Sequence, residues 1–179
     1  ADSASMSAVK LEFNQACVSK RSMIGVGSGV MYASPDGLCL IDSSGARVVT
    51  ESKINRADWQ ALSPSSMLSA EHEGVYYCWY TGSGGGCLTY DLSNGELGTI
   101  DLTASVVYVD RLTDFMYVAN GTAINQVYGG ATKRTGIWKS KLFRLPVHTS
   151  FAWIKAVGDV TSPVTVRIYK DGETTPWYT

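Results

Sequence analysis

Glu71-His72-Glu73 is the stretch of this chain whose residue types come closest to catalytic chemistry. On a strand, alternate side chains point to opposite faces, so Glu71 and Glu73 would share one face and His72 the other. Paired carboxylates are what glycoside hydrolysis requires, one as acid and the other as base or nucleophile. These glutamates, however, directly precede Gly74 at an expected hairpin tip, where charged side chains are solvated, and the mechanism also needs a pocket. They are read as surface residues, and no catalytic residue is assigned.

The other chemistry-bearing residues have equally plain explanations. His72 and His148 are the only histidines, and no Gly-x-Ser-x-Gly elbow supplies a nucleophile. "GSGGG" at 82–86 has the glycines of a phosphate loop without its Lys-Ser/Thr ending or following helix, so it reads as a hairpin tip. Asp36, Asp91 and Asp171 stand in or beside turns, where aspartate is favoured for its backbone bonding. Asp110 and Asp114, around Leu112, could approach a calcium ion, but a hard cation wants more oxygen ligands than that spacing offers. No metal or cofactor is expected. Cys17, Cys39, Cys78 and Cys87 lack paired C-x-x-C spacing and sit among apolar residues, so they read as free core thiols. A Cys78–Cys87 bridge across "TGSGGG" is the alternative. Trp79 and Tyr80 in "VYYCWY" could line a sugar-stacking groove; such a run is more often a strand buried on both faces or at an interface.

Hairpins carry these residues. In "YASPDGLCLID" a Ser-Pro-Asp-Gly turn separates strands expected at Val30–Ser34 and Leu38–Asp42. Pro35 presets φ at the first corner, and Gly37 is expected to take the left-handed conformation that closes a bulged hairpin. Sialidase-like propellers carry a Ser-x-Asp-x-Gly signature followed by an aromatic residue. Here the glycine comes one place early and Cys39 and Leu40 follow it, so the turn is read as a hairpin only. In "KINRADWQALSP", Asn55 caps a short helix over Arg56 to Leu62. Ile54 and Trp59 stand at hydrophobic-staple positions, and Pro64 ends the helix. Trp59 is therefore a packing anchor.

Three segments look alike. "GVMYA", "GVYYC" and "DFMYV" each lead through a turn to a second apolar run, and their tyrosines Tyr32, Tyr77 and Tyr117 are spaced by 45 and then 40 residues. That is about the period of a four-stranded propeller blade. After Gly136 the character changes. "IWKSKLFRLP", "FAWIKAVGD" and "VTVRIYKDG" read as strands, the last with Val164, Val166 and Ile168 inward and Thr165, Arg167 and Tyr169 outward. Asp171-Gly172 should start a further hairpin. The expected fold class is all-β: propeller-like blades built from β-hairpins with one short helix over 1–135, then the start of a small C-terminal β-domain over 136–179. Roughly three blades are fewer than the four or so that close a propeller, so the chain is expected to be a piece of a longer one.

Composition sets outer bounds. The 179 residues are 45% hydrophobic with a formal charge of −1, an ordinary globular balance without the charge excess of a nucleic-acid or membrane-surface binder. The only basic stretch, Lys133 to Arg144, is interrupted by Trp138, Leu142 and Phe143 and reads as a strand with a charged outer face. No apolar segment approaches the roughly 20 residues that cross a bilayer. Ala1 to Ala8 lack a basic-then-apolar signal pattern, so cytoplasmic synthesis is the expectation.

The run "CVSKRSMIGVGSGVMYASPDGLCLID", with "RVVTESKINRADWQALSPSSMLSAEHEGVYYCWY" after it, resembles virion structural proteins of tailed bacteriophages, in the propeller of tail hub or nozzle proteins. "WKSKLFRLPVHTSFAWIKAV" and "VTVRIYKDGE" are similar to the β-domain that follows that propeller. The resemblance implies a subunit of a symmetric ring in the virion tail, assembled in the bacterial cytoplasm. It implies contacts with copies of itself and with other tail or portal-adaptor proteins, around a channel through which DNA passes without sequence recognition. It implies no membrane partner, no enzymatic activity and no catalytic residues. Two other readings compete: a carbohydrate-binding or glycan-degrading propeller module of a phage tail, and an intracellular propeller scaffold.

Overall fold

Turn residues at short intervals and apolar runs of four to six residues fold this chain into successive antiparallel hairpins. The computed structural model describes residues 13–27, 29–131, 165–169 and 175–176. Among them are strands β1 (Ile24–Val26), β2 (Gly29–Ala33), β3 (Leu38–Asp42) and β4 (Gly45–Val48), helix α1 (Arg56–Ala61), and strands β5 (Leu68–His72), β6 (Val75–Tyr80), β7 (Gly86–Asp91) and β8 (Leu97–Ile100), then β9 (Val106–Asp110), β10 (Phe115–Asn120) and β11 (Ala123–Gln126). They form three sheets, β1-β2-β3-β4, β5-β6-β7-β8 and β9-β10-β11, in which every hydrogen-bonded pair is antiparallel and adjacent in sequence. The described chain is all-β apart from α1 and single 3-10 turns.

The second sheet lies between the other two, which explains why β6 is buried along both faces. Tyr76 and Cys78 join Met31, Ala33 and Leu38 of the first sheet in one apolar seam. Tyr77 and Trp79 join Met116 and Val118 of the third sheet in the other. "VYYCWY" is thus an internal strand, and Trp79, 2% exposed, cannot line an open groove.

Helix α1 closes the end of the first seam. Asn55 accepts a hydrogen bond from the Asp58 backbone N–H (2.9 Å), satisfying one of the amides a helix start leaves free. Ile54 and Trp59 both pack into the seam, as the staple positions require. The Trp59 indole N–H reaches the Ser34 carbonyl at 2.8 Å and ties the helix to the Ser-Pro-Asp-Gly turn. Arg56 adds an ion pair with Asp36 at 2.7 Å. The "TGSGGG" loop between β6 and β7 docks on the other end of the helix. The Gly82 N–H donates to the Leu62 carbonyl, and a Cβ at Gly82 would collide with the Ala61 carbonyl.

The Ser-Pro-Asp-Gly turn and the repeat both depart from expectation. Gly37 is not in the left-handed region; it is required because a Cβ there would stand 2.5 Å from Thr50 Oγ1 and 2.6 Å from Val48 Cγ1. The turn instead closes through the Ser34 N–H and hydroxyl, both donating to the Gly37 carbonyl. The repeat is present as sheets, since β2, β6 and β10 are each the second strand of theirs, but the aligned tyrosines are not equivalent. Tyr77 faces the third sheet and Tyr117 lies on the far side of the third sheet, whereas Tyr32 faces away from the second sheet. A strand alternates with period two, so the first segment is aligned one residue out of phase.

The chain divides into two compact units, Ala1–Thr132 and Lys133–Thr179. The strands expected in "IWKSKLFRLP" and "FAWIKAVGD", the Asp171-Gly172 turn, His148 and the basic stretch lie outside the described residues. Of the last expected strand, residues 165–169 are described. Ile168 is half-buried, but Val166 is 41% exposed, against its expected inward position.

Candidate functional site

The equivalent turns of the sheets gather the chain's acidic chemistry. Between β5 and β6, Glu73 and Gly74 both take left-handed backbone (φ 51° and 75°), the geometry of a two-residue hairpin turn. Glu73 is therefore not on the strand, and the alternation expected for Glu71, His72 and Glu73 ends at His72. Glu71, half-buried, accepts the Gly74 N–H at 2.9 Å. Glu71 and Glu73 nevertheless share one feature, a shallow open depression of about 620 Å³ lined also by Gly27, Val75, Asp91 and Ser93. Among the described residues no aromatic side chain lines it.

His72 takes the other direction. It follows Leu68 and Ala70 on the face of β5 that packs against the third sheet, and it is 8% exposed. Its Nε2 lies 2.8 Å from the Asp114 carbonyl oxygen and 3.6 Å from Asp114 Oδ1. Asp114 sits in the turn between β9 and β10, also left-handed at φ 55°. The His72 Nδ1 is buried without a hydrogen-bond partner.

Asp110 and Asp114, weighed together as calcium ligands, are separated by function. Asp110 accepts the Leu112 N–H (2.9 Å) and the Thr113 hydroxyl (2.8 Å), and the Leu112 amide above all holds its carboxyl below the usual range. Asp114 turns instead to His72. Asp91 likewise is committed to its turn, with the Ser93 hydroxyl and amide lowering its pKa. Asp36 accepts from Gln15 at 2.8 Å and pairs with Arg56.

The cysteines are free. Cys78 faces the first seam and Cys87 the second, so the bridge across "TGSGGG" is excluded by the strand alternation itself. Burial pushes the Cys78 thiol up to about 12 and raises Cys39 and Cys87, which withholds the thiolate a nucleophile needs. Among the described residues no helix is long and apolar enough to cross a membrane.

The proximity of His72 and Asp114, 42 residues apart, escapes motif reading. The repeat could have found it, because turns one blade period apart belong to neighbouring sheets and come out at the same end. The site brings a buried imidazole and an exposed carboxylate together where two turns meet. The sequence matches no protein-family model and no curated protein.

Proposed function

We propose that this chain is a structural subunit of a bacteriophage tail, a hub- or nozzle-like ring component in the virion that lines the genome-delivery channel. In this reading the three sheets are blades of a propeller-like domain and the chain is not an enzyme. Its partners are copies of itself and neighbouring tail or portal-adaptor proteins, and DNA passes without sequence readout.

The observation that carries the reading is the outward face of the third sheet. Cross-strand register puts Val106, Tyr108, Phe115, Tyr117, Ala119 and Ile124 on one side, away from the second sheet. Val106 is 54% exposed, Tyr108 61%, Phe115 45% and Ile124 76%. Strand β11 is exposed along its whole length. Asp110 and Gln126 share this largely apolar face, and β11 has no further strand partner among the described residues. Natural proteins cover such a face and edge, and in this reading a further blade or a neighbouring subunit does so. The resemblance of the Cys17–Asp42 and Arg47–Tyr80 stretches to tail proteins supplies the biological setting.

The alternative, a glycan-binding or glycan-degrading tail module, has the acidic depression at Glu71, Glu73 and Asp91 in its favour. It lacks there the aromatic platform on which a sugar ring would stack. The test is cryo-electron microscopy and peptide mass spectrometry of purified particles. The protein should be found in multiple, symmetry-related copies within the tail. Absence from virions, or presence as one unpaired copy, overturns the proposal; hydrolysis of host glycan lost in Glu71→Gln/Glu73→Gln would favour the alternative.

A further inference from the structure

The turn after β5 and the turn after β9 belong to different sheets, yet they bring three metal-ligand side chains together. His72, Glu73 and Asp114 each offer a donor atom, all within 4.8 Å of one another. The imidazole is more than nine-tenths buried, while both carboxylates are exposed and free to adjust. Among the described residues no Lys or Arg forms an ion pair with Glu73 or Asp114.

The ring cannot be satisfied by its protein neighbours in either neutral form. A proton on Nε2 serves the Asp114 carbonyl and leaves Nδ1 a buried lone pair without a donor. A proton on Nδ1 leaves the Nε2 lone pair aimed at two oxygens, the carbonyl at 2.8 Å and Oδ1 at 3.6 Å. In the second form, a cation held between Nε2 and Asp114 Oδ1 turns that repulsion into attraction, while the Nδ1–H stays buried without an acceptor.

From this geometry we infer that His72, Glu73 and Asp114 form a binding site for a borderline divalent transition ion of the Zn²⁺ class, which ties the second sheet to the third. Ligands at about 2.1 Å from a tetrahedral zinc stand about 3.4 Å apart; Nε2 and Asp114 Oδ1 are 3.6 Å apart, and the exposed Glu73 carboxylate, within 4.8 Å of both, closes in on binding. One imidazole with two carboxylates suits such an ion, whereas Ca²⁺ and Mg²⁺ prefer all-oxygen sets. Water completes the coordination. Glu71 and Asp91, in the depression that Glu73 also lines, add negative charge that raises the local cation concentration.

The test is calorimetric titration of the chelator-treated, full 179-residue chain with ZnCl₂ near neutral pH. Cys17→Ser serves as the background, so that the exposed thiol cannot contribute. One Zn²⁺ per chain is expected, with Ca²⁺ failing to compete. Asp114→Asn and Glu73→Gln should each weaken binding at least roughly tenfold, the minimum lost when even an outer-shell partner is removed. Both are exposed turn residues, and Asn tolerates the left-handed backbone of Asp114, so folding is retained. Thermal unfolding gives the second readout: Zn²⁺ should raise the midpoint of the Cys17→Ser chain and leave that of Asp114→Asn unmoved. A merely structural Asp114 would lower the midpoint without changing its zinc response. No saturable binding, equal binding in both variants, or displacement by equimolar Ca²⁺ would each overturn the site.

Discussion

The seam between the first and second sheets and the seam between the second and third are built from the same residue types and finished differently. In the first, Trp59 is 0% exposed and its indole N–H is bonded to the Ser34 carbonyl; Tyr76, equally buried, donates to the Ser22 carbonyl at 2.6 Å. Between the two sheets, the Ser69 hydroxyl on the face of β5 turned to this seam has no conventional partner among the described residues. In the second, Trp79 is as buried but its indole N–H has no partner, and neither does Nδ1 of His72. Tyr77 reaches only the Tyr128 hydroxyl at 3.3 Å, and Tyr128 is 66% exposed. A buried polar atom left unmet costs about 1–3 kcal/mol. The first seam is therefore a closed structural unit. The second holds its third sheet chiefly by apolar contact, with the His72–Asp114 hydrogen bond at one end, and keeps two buried polar atoms unmet.

Substitutions at the two buried tryptophans test this contrast most severely. Trp59→Ala should cost about 3–5 kcal/mol, because it empties the end of the first seam and detaches α1 from the turn at Ser34. The sharper pair is Trp59→Phe against Trp79→Phe. The first abandons the Ser34 carbonyl, whereas the second removes a donor that had no acceptor, which offsets the lost ring volume. Trp59→Phe should be the more destabilising by about 1–3 kcal/mol. Urea unfolding of the two variants checks it, and equal losses would break the comparison.

The tyrosines repeat the argument one size smaller. Tyr76→Phe removes a buried hydrogen bond and should cost about 1–1.5 kcal/mol. Tyr77→Phe, losing only a long contact to an exposed partner, should stay within about 0.5 kcal/mol of the parent. Chemical denaturation measures both, and a larger cost at Tyr77 would show the second seam to be as tightly finished as the first.

Local residue chemistry explains which of these features could be read before any fold was known. Asn55, Ile54, Trp59 and Pro64 specify α1 through contacts only a few residues long, so the helix was legible. So were β2 and β3 around the Ser-Pro-Asp-Gly turn, because Pro35 and the flanking apolar runs act locally. The role of Gly37 was not, since Thr50 and Val48 approach it from 11 and more residues away. The phase of the first repeat was lost for a similar reason. Met31 and Tyr32 are both apolar enough for a core, and only the neighbouring sheet decides which of them faces it. At the candidate site Glu71, His72 and Glu73 stood out as residue types. Their partition between the depression and Asp114 depends on a left-handed turn and on a second hairpin, neither of which the tripeptide encodes.

The outward face of the third sheet extends the contrast to the surface. Ile124→Ser in the isolated chain should change stability by no more than about 0.5 kcal/mol, because Ile124 is 76% exposed. Within the particle the same change should lower incorporation into tails, counted by mass spectrometry. A clear loss of stability in the isolated chain would mean that this face is already covered.

The smallest expected effect lies in the acidic turns, where the first and third sheets again differ. Asp42 is held by an ion pair with Arg47 at 2.9 Å and by the Ser44 amide at 2.8 Å, which bring its carboxyl down to about 2. Asp110 has the Leu112 amide and the Thr113 hydroxyl but no cationic partner among the described residues, and it is lowered less. For each, the folded pKa lies below the ordinary value of about 3.8, so the stabilisation is fully present above that value and is lost as pH falls through the folded pKa. Both groups are at the surface, which keeps the effect small and salt-sensitive. On acidification, carboxyl resonances followed by NMR should show Asp110 protonating before Asp42, and Arg47→Ala should bring Asp42 up toward Asp110. If Asp42 protonates first, the Arg47 pair is not formed in solution, and the first sheet loses one of the contacts that set it apart from the third.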